Sequence, residues 1–178
     1  IGYTGGYNLA DEYFNIERPY RAWKDCGIRL SGSGVDSMTM TFLENWNATK
    51  KHFEKDKVYD KYMTAEPDTN GRGFAVPFAD SPMDNLQVGE DVYISMIDKA
   101  DDYVWFMTPY LIITDELKSA LCLAAMRGVD VRIITPGIPD KKLVYSITRS
   151  FYHDLCMHGV KIYEWAPGFM HGKLCISD

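Results

Sequence analysis

The sequence predicts an α/β fold: a mixed, largely parallel sheet with helices on both faces. Over residues 88–178, short apolar runs alternate with stretches whose apolar residues recur three or four apart, the pattern of parallel strands joined by helices. The run at 103–107 is nearly all apolar and that at 129–135 is β-branched and mostly apolar, as strands covered on both faces are. Two joins of similar sequence, Arg127-Gly128-Val129-Asp130-Val131 and His158-Gly159-Val160-Lys161-Ile162, stand 31 residues apart. That is about one β-α unit, and two ordinary β-α joins account for the echo.

The elements follow in order. Residues 1–4 suit a strand leading into Gly5-Gly6, and 25–31 alternate Cys26, Ile28 and Leu30 with polar or glycine positions, a half-buried strand. Asp36 is placed to cap a helix reaching about residue 51, with Met40, Leu43, Trp46 and Asn47 along it. Residues 50–73, with Lys50-Lys51-His52 and Glu54-Lys55-Asp56-Lys57, mix both charge signs and read as a solvated helix end and loop. Residues 74–78 are a candidate strand, and 79–89, with Ser81-Pro82, a linker between two lobes, 1–87 and 88–178. Beyond it, 91–100 reads as a helix and 103–107 as a strand. Thr114 caps the next helix, with Asp115 and Glu116 complementing its dipole and Gly128 stopping it. A strand at 129–135 leads to one helix over 141–158, with Leu143, Ile147, Phe151 and Leu155 four apart. Gly159 ends it, and strands follow at 160–165 and 170–177.

Composition narrows the function. The chain has 178 residues, a net charge of -6, and 46% hydrophobic and 13% aromatic residues. That acidic balance, without an aromatic-basic stripe, argues against nucleic acid as partner. No stretch approaches the ~18 uninterrupted apolar residues of a membrane span, and the chain is expected to be soluble by itself. Cys26, Cys122, Cys156 and Cys175 are scattered without a C-x-x-C pair, so reduced thiols are expected rather than disulfides or zinc. His52, His153 and His158 show no ligand spacing; no metal or cofactor is expected.

The last eight residues read His171-Gly172-Lys173-Leu174-Cys175-Ile176-Ser177-Asp178, an H-x-K-x4-D pattern. On a strand, residues two apart share a face, so a proton-handling or nucleophilic histidine would stand beside a cation for phosphate oxygens. As a strand pattern alone this equally suits an exposed histidine, a lysine and a turn aspartate. Its place after a run of β-α units, behind Pro167-Gly168, is where an α/β sheet presents ligands. Tyr110, Trp165 and Phe169 flank strand ends near it, as core, rim or cleft lining.

These residues resemble the signature of the phospholipase D superfamily. The surrounding text is similar to bacterial cardiolipin synthases: Thr4-Gly5-Gly6-Tyr7-Asn8, Trp23-Lys24-Asp25, Thr108-Pro109-Tyr110, the 127–136 segment, and Tyr163 through to Lys173. The likeness implies two such motifs in two lobes meeting at one site, with this chain a fragment lying between them. Residues 1–87 would be the C-terminal part of the first phospholipase D-like lobe and 88–178 the N-terminal part of the second, together making a hybrid lobe of two halves. It implies a fragment of a cardiolipin synthase that moves a phosphatidyl group between two phosphatidylglycerol molecules through a phosphohistidine. The alternatives are a phosphodiesterase or nuclease of the same superfamily, or a fragment inactive by itself that serves only in association. The implied catalytic set is His171, Lys173 and Asp178, with His171 as acid–base or nucleophile and Asp178 as structural support. Asn8, Gly5 and Gly6 would form the substrate-binding segment, and Asp11 or Glu12 the carboxylate that orients a histidine. The implied partners are a phospholipid, phosphatidylglycerol, a membrane surface reached through the parent protein at the bacterial cytoplasmic membrane, and a second copy in a homodimer.

Overall fold

The computed structural model describes residues 1–51, 58–67, 71, 73–81 and 85–178. His52, the charged run 54–57 and Pro82 of the expected linker lie outside the described residues. Contacts divide the chain into two units, residues 1–4 with 28–88 and residues 5–27 with 89–178. A single cut near 87 therefore does not describe the packing, because residues 5–27 fold with the second half of the chain.

In the first unit, strand β1 (Gly2–Gly5) pairs with β3 (Gly27–Leu30), and helix α1 spans Gly34–Ala48. The helix begins after Ser33 rather than Asp36. Asp36 lies in its first turn and accepts a hydrogen bond from the Ala65 backbone N–H at 3.2 Å. Leu43 and Asn47 are its buried positions. Residues 74–78 form no strand, and Phe74 is fully exposed. Without pairing, an apolar run has no ladder to hold it extended.

The second unit carries the parallel strands. Helix α2 (Val88–Lys99) leads to β4 (Tyr103–Met107), α3 (Asp115–Arg127), β5 (Asp130–Pro136), α4 (Lys142–Ser150), α5 (Tyr152–Met157), β6 (Lys161–Trp165), β7 (Gly168–Met170) and β8 (Leu174–Ser177). The sheet order is β6-β5-β4-β8, with β6, β5 and β4 parallel and β8 antiparallel to β4. Thr114 caps α3 by accepting from Leu117 N at 3.1 Å, and Gly128 ends it at φ 101°. Only a residue free of Cβ enters that left-handed turn without strain.

Period-two alternation sorts the sheet residues. Val104, Val131 and Ile133 pack against Ile97 of α2, Leu121 of α3 and Leu155 of α5 in one buried cluster. Each such side chain stabilises the fold by roughly 1.5–3 kcal/mol. On the other face the side chains cover the sheet themselves. The Arg132 guanidinium lies 4.6 Å from the Trp105 ring centroid, and Asp130 accepts from Trp105 Nε1 at 3.2 Å and Lys161 Nζ at 2.7 Å.

Two elements depart from the expected pattern. The helix over 141–158 breaks at Phe151 into α4 and α5; Leu155 is buried in α5, but the buried position of α4 is Thr148, not Leu143 or Ile147. The Thr148 hydroxyl accepts from Leu111 N at 3.1 Å, so α4 turns a polar atom inward to satisfy a buried N–H. The strand expected over 170–177 is two strands in two sheets. β7 pairs in parallel with β2 (Ala22–Lys24), and β8 joins β4. His171 and Lys173 lie in the gap between them.

Candidate functional site

The β2–β7 pairing builds the site. Its register sets Ala22 against Gly168, Trp23 against Phe169 and Lys24 against Met170. The next rung continues it, with His171 N donating to Lys24 O at 2.7 Å. One residue further, Asp25 stands beside His171. Because side chains alternate, Trp23 and Asp25 share a face with Phe169 and His171. Gly168 permits the approach, since a Cβ there would run into the Ala22 backbone oxygen.

His171 Nδ1 lies 2.7 Å from Asp25 Oδ2, with the Asp25 side chain wholly buried and that of His171 12% exposed. The second Asp25 oxygen accepts from Cys26 N at 2.8 Å. A buried carboxylate must be hydrogen-bonded, and these two bonds fix its plane. With Nδ1–H donated to Asp25, the neutral imidazole keeps its lone pair on Nε2. Lys173 Nζ is 2.8 Å from both ring nitrogens and 2.8 Å from the His171 carbonyl oxygen. Only Nε2 has a lone pair to accept it in that tautomer, so the Nε2 contact is the bond and the Nδ1 distance is proximity. Loss of hydration pulls the Lys173 amine below its ordinary value, with the Asp25 charge acting the other way.

Aromatic rings enclose the imidazole. Tyr13 meets it edge-on at 5.3 Å between centroids, Trp23 lies at 5.4 Å and Phe169 at 5.8 Å. Tyr13, Trp23 and Phe169 form their own buried cluster, with Tyr110 packed against it. Tyr110 donates to Asp140 Oδ2 at 2.6 Å, and burial first, then that bond, pushes its hydroxyl above the ordinary phenol range. Trp23 Nε1 and Asp140 Oδ1 are buried without a hydrogen-bond partner among the described residues.

The remaining sequence candidates divide. Gly6 lies against the Asp25 carboxylate so closely that a Cβ would overlap it, and its N–H donates to Cys26 O at 3.1 Å. A Cβ on Gly5 would stand 2.6 Å from Cys26 O. Asn8 is exposed and reaches toward the histidine through Tyr13, whose hydroxyl accepts from Asn8 Nδ2 at 2.7 Å. Asp11 and Glu12 do not orient His171. They occupy the first turn of a 3-10 helix at Asp11–Phe14, where acidic groups complement exposed N–H groups, and Asp25 takes the place beside the ring. Asp178 is remote from His171. Its carboxylate accepts from the backbone N–H groups of Asp101, Asp102 and Tyr103 at 2.9–3.2 Å, at the start of β4. His171 precedes the other end of β8, across from Met107. Among the described residues, no group of three or more His, Cys, Asp or Glu is placed to hold a metal, and no helix is long and apolar enough to cross a membrane.

Residues 93–178 match a family model described as cardiolipin synthase, PLD-like domain. That match takes in just under half of the chain and makes residues 93–178 similar to a phospholipase D-like domain. Across its whole length the chain is 45% identical to an uncharacterized protein of Streptococcus mutans serotype c, of which it spans 38%. It is 34% identical, again across its whole length, to a cardiolipin synthase of Alkalihalophilus pseudofirmus, of which it spans 35%. The chain thus covers little more than a third of the curated relatives it matches. The solved phosphatidylserine synthase of Haemophilus influenzae Rd KW20 shares the fold, with a TM-score of 0.54 and 15% identity, over 99% of this chain and 49% of that one.

Sequence reasoning missed the place of Asp25 beside His171. The available signal was the repeated spacing of Trp23-x-Asp25 and Phe169-x-His171, an aromatic residue followed two positions later by a polar one. That spacing identifies one face on each strand but not that the two strands pair.

Proposed function

We propose that this chain supplies one half of a phosphatidyl-transfer site, joining two phosphatidylglycerol molecules into cardiolipin with release of glycerol. The observation that carries the reading is the Asp25–His171–Lys173 line: a buried carboxylate on Nδ1, a lone pair at Nε2, and a cation within 2.8 Å. The match to the family model and the likeness to a cardiolipin synthase support the reaction class. When substrate binds, the Lys173 ammonium turns from the ring to a non-bridging phosphate oxygen, where it offsets charge gathering in the transition state. A second histidine, carried by a companion lobe in the same polypeptide or by a second copy of this chain, attacks phosphorus. The new P–N bond forms as the P–O bond to glycerol breaks. His171, entering this step as imidazolium, gives its Nε2 proton to the departing alkoxide. The now neutral ring next takes the proton of the incoming phosphatidylglycerol hydroxyl as that oxygen displaces histidine from phosphorus. Asp25 holds the tautomer through both transfers and stabilises the imidazolium. Trp23 Nε1 and Asp140 Oδ1 offer a buried donor and acceptor that headgroup hydroxyls would satisfy. The substrate places the work at a membrane surface.

The test is lipid product analysis with the longer polypeptide containing this sequence, in vesicles holding phosphatidylglycerol. Cardiolipin and free glycerol should appear in equal amounts and vanish in His171→Ala. DNA cleavage without lipid turnover would instead assign a nuclease.

A further inference from the structure

We infer that the hollow beside Lys173 is an acyl-chain subsite, taking the first methylenes of one fatty chain of a lipid whose phosphodiester lies on His171 and Lys173. The inference rests on the functional reading above and adds which part of the substrate is read, and where.

The hollow has a volume of about 200 Å³, smaller than the roughly 300–1,000 Å³ of pockets that enclose a whole small ligand. It therefore suits a segment of a molecule held elsewhere. Phe106 of β4, Leu111 and Ile112 of the following loop, Leu117 and Leu121 of α3 and Leu174 of β8 line it, with Lys173 in the same wall. Lys173 is also the group that touches the His171 ring. One residue thus borders both the apolar hollow and the proton-transfer centre, and a lipid presents that same junction of phosphate and hydrocarbon.

The polar groups of the wall point the same way. The Thr108 hydroxyl is engaged with the Tyr110 backbone, donating to its carbonyl oxygen at 3.2 Å and facing its N–H at 3.4 Å. The Tyr110 hydroxyl is bonded to Asp140. A sugar, base or glycerol placed there would lose hydration for few new hydrogen bonds, whereas methylenes need none. Each methylene that leaves water strengthens binding by roughly fourfold. The entrance includes Ile112, which is 55% exposed, so a chain can enter without unfolding the wall.

The experiment titrates the chain by NMR with three monomeric probes: glycerophosphoglycerol, dibutanoyl phosphatidylglycerol and dihexanoyl phosphatidylglycerol. Two added methylenes on a single bound chain should tighten binding by about fifteenfold between the last two, with shifts at Ile112, Leu117 and Leu174. Ile112→Trp, which fills the entrance, should bring dihexanoyl binding down to the dibutanoyl level. Ile112→Glu should do the same by placing a charge there, and thermal unfolding of both variants checks that the domain is intact. Affinity independent of chain length, or length dependence that survives both substitutions, overturns the subsite. The functional reading fails separately, if Lys173→Ala leaves binding of glycerophosphoglycerol unchanged.

Discussion

In the proposed site, His171 is held by a carboxylate 146 positions earlier in the chain. Asp25 selects which nitrogen carries the proton, and Gly6 leaves the carboxylate room to do so. Gly6→Ala should therefore push Asp25 off the ring and lower turnover by about a hundredfold, while thermal unfolding changes far less. Parallel rate and melting measurements separate the two effects. Lys173 carries a second prediction. Its amine sits below the ordinary lysine value, with desolvation the largest cause, so its positive charge is lost earlier as pH rises. Phosphodiester binding should weaken on the alkaline side before an ordinary lysine would titrate, and Lys173→Arg, charged throughout, should remove that limb. Binding followed against pH for both forms checks it.

Among the elements, those with strong periodicity and clear stop signals were legible: β4 between polar ends, and α3 between Thr114 and Gly128. Their local preferences and tertiary roles agree. β2 was not legible, because three residues carry too little pattern and its partner lies far along the chain. The break in 170–177 was hidden for a related reason. The sequence reads as one strand carrying the motif, yet its two ends serve different partners, β2 and β4. The consequence for stability lies at Gly168, where a side chain would collide with the Ala22 backbone. Gly168→Ala should cost about 1–3 kcal/mol and separate Asp25 from His171. Urea denaturation would register the first effect, and loss of the His171–Asp25 coupling by NMR the second.

For the whole molecule, residues 5–27 complete a unit whose strands otherwise come from 89–178, so the site depends on a long-range closure. The expectation of a hybrid lobe rested on the family resemblance, and composition or periodicity alone could not have supplied it. Asp178 secures the sheet at the end opposite the histidine. The Tyr103 N–H first, then those of Asp102 and Asp101, hold its carboxyl below the usual aspartate range. A depressed carboxyl stabilises the fold above its unfolded pKa, about 3.9, and that contribution is lost as pH falls through its lower folded value. Asp178→Asn should thus be less stable than the parent chain at neutral pH, with the gap closing only below about pH 4; urea midpoints at several pH values test this.

The proposed site depends most directly on the hydrogen bond from His171 Nδ1–H to Asp25. Long-range proton–nitrogen NMR of the His171 ring reads it without a substrate or a second lobe. The neutral ring should carry its proton on Nδ1 in the parent chain and shift toward a mixture of tautomers in Asp25→Ala. A ring protonated on Nε2 in the parent, or one indifferent to Asp25→Ala, would contradict the proposed site.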